Sequence, residues 1–247
     1  MKEVRMASWE SIRAVAPSTI AELFVRAPDR LSRLTLDEAG LHFDFAKTHL
    51  STEHIEAFVA FAEARGFAPA REALFAGAVV NVSEGQAAEH TAERGQGAPE
   101  SVARARALNA RMRGLIDAIE AEALGPSRYV LHIGVGGSAL GPKLLIDALA
   151  RDADRYDVAV VSNIDGAALE AVFKRFDPGT TLIAIASRTF TTTETMLNAD
   201  SALAWLGENG VDDPYGRVVA LTANPERAVE WGVDQTRVLP FAETVGD

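Results

Sequence analysis

Ser187-Arg-Thr-Phe-Thr-Thr-Thr-Glu-Thr195 sets six hydroxyls and one guanidinium within nine residues. Hydroxyls donate to phosphate oxygens, a helix N-terminus aimed at the same point adds main-chain donors, and Arg188 supplies charge. Such a run suits a compact phosphate monoester better than an extended pyrophosphate. A Thr-rich helix cap, with Thr191 or Thr192 as the capping residue, also accounts for part of it. One cap uses one hydroxyl, however, and the surplus favours a ligand. Glu194 falls in the first turn of the helix that follows, where a carboxylate is a partner for the helix dipole rather than an acid or base.

Gly134-Val-Gly-Gly-Ser-Ala-Leu-Gly-Pro142 is the second concentration. Glycines let a backbone approach a ligand closely and expose its N–H groups, and Pro142 suits the first turn of a helix. By spacing alone the segment reads equally as an anion-binding loop or as a tight strand-to-helix turn. It also fits the loose dinucleotide pattern G-x-G-x-x-A. The acidic residue expected at the end of the second strand is not in place, because Ser162-Asn163 stands there and Asp165 comes late.

Both segments need a frame that brings them together. From Arg128 onward, apolar runs alternate with amphipathic ones. Strands are expected at Tyr129–Ile133, Asp157–Val161, Thr181–Ala186, Arg217–Leu221 and Arg237–Phe241, with helices at 142–150, 166–176, 192–206 and 225–231 between them. Nearly continuous apolar strands alternating with helices predict an α/β fold, with a doubly wound five-stranded parallel sheet covered on both faces. Ligands then bind at the carboxyl ends of the strands, where both loops lie. The preceding stretch reads as mostly helical. Helical pieces from Ser8 to Arg33 break at Pro17 and Pro28, a short hairpin spans Leu34–Phe45 with its turn at Glu38–Gly40, and a helix opens at Ser51 and ends at Gly66. Its stripe Ile55, Phe58, Val59 and Ala62 is expected to pack into a core. Further helix follows over 69–128, interrupted around Gly77–Gly85 and Gly95–Pro99. The expected division is 1–105 for the helical segment and 106–247 for the sheet domain.

The 247 residues are 48% hydrophobic and 24% charged, the range of a globular protein. A net charge of −11 argues against nucleic acid and anionic membrane as partners, while a small phosphorylated substrate remains compatible with it. There is no cysteine, and the five histidines (His42, His49, His54, His90, His132) show no ligand spacing, so no metal is expected. His132, inside a strand, reads as a packed residue. The start, Met1-Lys-Glu-Val-Arg-Met6, lacks a signal-peptide pattern, and no run is long enough to span a membrane. The expectation is a cytoplasmic protein.

Three segments together resemble the phosphoglucose isomerase (glucose-6-phosphate isomerase) family, within the wider group of sugar isomerase (SIS) domains. Val80-Asn-Val-Ser-Glu-Gly85 with His90-Thr91 is similar to the family's N-T-E-G-R…L-H-T. His132–Pro142 is similar to its G-I-G-G-S-D-L-G-P loop. Ser187–Ala199 is similar to S-K-T-F-T-T-x-E-T-x-x-N-A. The likeness runs from about Leu34 to Val245. It implies interconversion of glucose 6-phosphate and fructose 6-phosphate through a cis-enediol, in glycolysis and gluconeogenesis, with no metal or other cofactor. It also implies that Ser187, Thr189 and Thr192 bind the phosphate with the main chain at Arg188, that Gly137 and Ser138 line the sugar site, and that the complete enzymes are homodimers. Three residues depart from the pattern: Arg188 stands where Lys is usual, Ala139 where Asp is usual, and Gln86 where Arg is usual. The family continues V-G-G-R where this sequence reads Val245-Gly246-Asp247. By resemblance its glutamate base, its ring-opening histidine and lysine, and that arginine lie beyond the segment. The resemblance therefore leads us to expect a truncated chain of doubtful isomerase activity, with exposed apolar faces in its first hundred residues. A non-catalytic sugar-phosphate-binding SIS domain and, from the glycine pattern alone, a dinucleotide-binding oxidoreductase stay open as alternatives.

Overall fold

A computed structural model describes residues 8–149, 155–242 and 244–245. Contacts divide it into two compact units, the first reaching to Leu74 and the second running from Phe75. The long helix over 99–120 packs with the sheet that follows it.

The first unit holds α1 (Trp9–Arg13), α2 (Ile20–Arg26), α3 (Arg30–Arg33), a hairpin of β1 (Thr35–Glu38) and β2 (Leu41–Asp44), α4 (Thr52–Ala64) and most of α5 (Phe67–Phe75). Capping boxes at Ser8, Thr19 and Ser51 start α1, α2 and α4. Ala39 and Gly40 both have positive φ, the geometry of a two-residue hairpin turn. Arg30 is buried, and its guanidinium donates to Ala46 O, Thr48 O and Leu50 O, each at 2.7 Å. The stripe on α4 is a correction to the expectation of a core. Ile55 and Ala62 are half-buried, but Phe58 and Val59 are exposed, with Trp9 packed on Phe58 and Phe61. A unit this small has too little chain to cover both sides of a helix.

The second unit opens with a small hairpin, β3 (Val79–Asn81) and β4 (Gln86–Ala87), which the sequence pattern did not reveal. A 3-10 turn (His90–Arg94) and α6 (Pro99–Glu120) follow. Then come β5 (Tyr129–Ile133), α7 (Gly137–Leu149), β6 (Asp157–Val161), α8 (Gly166–Arg175), β7 (Thr181–Ala186), α9 (Thr193–Glu208), β8 (Val218–Thr222), α10 (Pro225–Trp231) and β9 (Val238–Pro240). The five later strands form one all-parallel sheet in the order β6-β5-β7-β8-β9. Leu131, Ile133, Ile183, Ile185, Val218 and Ala220 bury one face of it against α8, α9 and α10. On the other face, Leu115 and Ile119 of α6 line an apolar cleft of about 270 Å³ with Val130, Leu182 and Val219. At the amino ends of the strands, buried Arg217 donates to Thr181 O, Pro126 O, Gly179 O and Leu124 O. No described helix is long and apolar enough to cross a membrane.

One boundary is a further correction. The helix after β5 begins at Gly137, not Pro142, and Pro142 lies inside it. Ala150, expected as its end, lies outside the described residues, as do Gly246 and Asp247.

Candidate functional site

The strand order itself selects the place. The chain steps from β5 outward to β6, then returns past β5 to β7 and continues to β8 and β9, so direction reverses between β5 and β7. A crevice opens outside the carboxyl ends of the strands at such a switch point. The loops after these two strands are the glycine loop and the hydroxyl run.

After β5 the chain must turn within a few residues. A Cβ at Gly134 would stand 2.8 Å from Ser138 O and 3.1 Å from Ala186 O, so only glycine fits between the two loops. Gly136 takes φ +60, the left-handed region, and its carbonyl accepts the amides of Ala139 and Leu140. Gly137 and Ser138 thereby open α7 at the crevice rim, with the amides of a helix first turn beside them. His132, buried in β5, reaches under this loop to place Nε2 2.7 Å from Ser138 O. Burial holds its pKa below the ordinary histidine value, and the bond to Ser138 O opposes that only in part. Ala139 is 1% exposed, packed inward where a carboxylate would be desolvated.

After β7 the chain is held by its own hydroxyls. Ser187 is buried, and its Oγ accepts the Phe190 amide at 3.1 Å and lies 3.3 Å from Thr192 Oγ1. Phe190 has φ +54 and is fixed by burial and by an edge-on contact with Trp231. This left-handed residue folds the chain back so that Thr192 faces Ser187. Thr192 occupies the N-cap position of α9 but makes no side-chain cap bond, so its hydroxyl is not spent on capping. The Arg188 carbonyl accepts from Thr222 Oγ1 and the Ala223 amide, both at 3.0 Å. Its guanidinium lies 3.8 Å from Glu84, which also accepts from Asn81 and Gln86. Thr191 donates to Thr189 at 2.7 Å, and both are exposed at the rim.

Gly137, Ser138, Ser187, Arg188, Thr189 and Thr192 all line one crevice of about 730 Å³. All six residues singled out by sequence therefore come together. Thr195, the last hydroxyl of the run but not one of those six, joins them. It is 1% exposed and its hydroxyl has no partner among the described residues. Its signal was available, because it stands three residues after Thr192 on the same helical face. Phe241 and Val245 also line the crevice, and nothing in their local pattern marked them. Gln86 does not line it. It lines a neighbouring hollow of about 440 Å³ with Thr191, Asn224 and Arg227, and Arg188 and Thr189 border both. Asp165, the one acid near a dinucleotide position, accepts the Ala167 amide as the N-cap of α8. Asn198 ties α9 to the loop after β6 by donating to Asn163 O at 2.7 Å. Among the described residues, no three His, Asp or Glu side chains converge where a metal ion could sit.

In a comparison with known families, the model for phosphoglucose isomerase aligns with residues 44–247. The chain belongs to the phosphoglucose isomerase family. A glucose-6-phosphate isomerase from Rhizorhabdus wittichii is 67% identical over 240 residues, 97% of this chain and 48% of that protein. One from Zymomonas mobilis is 58% identical over the same share of this chain and 47% of its own. The chain thus spans about half the length of the curated relatives it matches. A crystal structure of a glucose-6-phosphate isomerase from Chlamydia trachomatis superposes with a TM-score of 0.78 over 93% of this chain and 46% of that one. At 24% identity it bears on the fold alone.

Proposed function

We propose that the crevice between β5 and β7 binds a phosphorylated sugar, and that the protein serves the interconversion of glucose 6-phosphate and fructose 6-phosphate. The observation that carries the reading is the cluster of Ser187, Thr189 and Thr192 hydroxyls opposite the Gly137-Ser138 helix start, in one crevice at the switch point. The three hydroxyls and the first-turn amides of α9 donate to the phosphate oxygens, and Arg188 balances charge at the rim. Gly137 and Ser138 face the sugar. Arg188 in place of lysine retains the cation, and its guanidinium stands 3.8 Å from Glu84. The protein is proposed to act in the cytoplasm as a homodimer, without a metal or other cofactor and without nucleic acid as a partner.

Among the described residues lining the crevice there is no carboxylate or imidazole. Transfer of a proton between C1 and C2 needs a base within hydrogen-bond reach. The contribution of these residues is therefore binding and orientation. The same fact favours a second reading, a sugar-phosphate-binding module that does no chemistry itself.

Isothermal titration of fructose 6-phosphate into the chain, with fructose as control, tests the site. Binding of the phosphorylated sugar alone is expected, and no binding by folded protein would refute it. An isomerase assay on the same preparation then separates the two readings, turnover above background favouring the enzyme.

A further inference from the structure

Pro142 places a demand on Ser138. In an α-helix the carbonyl of residue i accepts the amide of residue i+4. Four residues beyond Ser138 stands Pro142, inside α7, which has no N–H and whose ring crowds that carbonyl. The helical bond from position 142 is therefore missing from the turn that borders the crevice. His132 comes from outside the helix to the same oxygen, with Nε2 at 2.7 Å. The acceptor is a carbonyl, so the proton is on Nε2 and the ring donates. Gly134, which has no side chain, leaves this oxygen its space.

We propose that His132 is a positioning residue for the sugar-facing loop: its Nε2–H replaces the helical hydrogen bond that Pro142 deletes, and so fixes Ser138 and Gly137 at the crevice rim. It acts through the Ser138 carbonyl and does not touch the ligand. The ligand half of this proposal rests on the sugar-phosphate reading above.

A double-mutant cycle tests it, with melting temperature and fructose 6-phosphate affinity both measured. His132→Leu should lower the melting temperature by about 3–6 °C and weaken fructose 6-phosphate binding about tenfold. Adding Pro142→Ala should restore most of both, because the new amide at 142 takes the Ser138 carbonyl. His132→Gln, which keeps a donor at similar reach, should lose less than His132→Leu. A histidine that only filled space would show no such rescue: additive effects of His132→Leu and Pro142→Ala would overturn the proposal. Should His132→Leu not fold, His132→Phe, which also lacks a donor and is closer to the ring in shape, completes the same cycle with and without Pro142→Ala. Failure of the wild-type chain to bind fructose 6-phosphate would overturn the sugar-phosphate reading and the ligand half with it. The melting-temperature cycle needs no ligand and would still decide the hydrogen-bond half.

Discussion

Replacing Ser187 with alanine removes an oxygen that serves two purposes. In the folded chain Ser187 Oγ accepts the Phe190 amide at 3.1 Å, in a place where both residues are buried. An amide left without a partner there costs about 1–3 kcal/mol. Phe190 is also in the left-handed region, which costs about 1–2 kcal/mol for a residue with a side chain and persists only while its surroundings enforce it. The expected loss is therefore about 1–3 kcal/mol, a fall in melting temperature of about 2–12 °C for a chain of this size. The same oxygen is one of the proposed phosphate ligands, and loss of one hydrogen bond to a charged group weakens binding about tenfold or more. Thr192→Val separates the two roles. Thr192 meets Ser187 only at 3.3 Å and makes no cap bond, so its loss should weaken fructose 6-phosphate binding similarly while costing less than about 1 kcal/mol in stability. Urea denaturation and titration calorimetry on the two variants give the four numbers. A Ser187→Ala chain as stable as wild type, or a Thr192→Val chain as destabilised as Ser187→Ala, would refute the account of the turn.

Three further outcomes follow from other parts of the chain. Arg217→Met strips the donors from four carbonyls at the amino ends of the strands. It should cost about 2–4 kcal/mol in urea denaturation without changing fructose 6-phosphate affinity, since the crevice is at the other end of the sheet. The His132 pKa is lowered by burial from an ordinary 6.5, so below that value the unfolded chain binds more protons than the folded one. The stability from His132 is thus fully present above about pH 6.5 and falls as pH falls towards the folded-state pKa. His132→Gln should flatten the stability profile in that window, and an unchanged slope would count against the burial argument. Exposed carboxylates such as Glu22, lowered by the Thr19 amide, and Asp234, lowered by Thr236, act only below their ordinary values of 4.5 and 3.8. Finally, Leu140, Leu144, Leu145 and Leu149 of α7 are all exposed, apolar surface that should bind a hydrophobic dye. Leu144→Lys with Leu145→Glu should reduce that fluorescence, and a dye-silent wild-type chain would refute the exposure.

The strands of the parallel sheet were legible because each is a short apolar run closed by a turn. Tyr129–Ile133, Asp157–Val161 and Thr181–Ala186 begin and end where the pattern says. The hydroxyl run stood out because it holds more hydroxyls than one cap uses, whereas the glycine loop by spacing alone read equally as a turn. What escaped has physical reasons. The hairpin Val79–Ala87 has strands of three and two residues, too short for alternation to register. The start of α7 was hidden because Gly137 is a poor helix former and Pro142 a conventional first-turn residue, while tertiary contacts through Ser138 set the boundary earlier. The stripe on α4 has helical spacing, but periodicity says only that a face is apolar and not that anything covers it.

The close approach at Gly134 also bears on the shape of the crevice. The space beside its Cα, which a side chain would fill, is bounded by the carbonyls of Ser138 and of Ala186 at the end of β7. A side chain at this position would push the two carbonyls apart, so the close approach of the β5 turn to the end of β7 depends on glycine. At the exposed rim, by contrast, the side chains of Thr189 and Thr191 can turn without moving the sheet. A ligand would meet a surface whose base is set by packed backbone and whose edge can adapt.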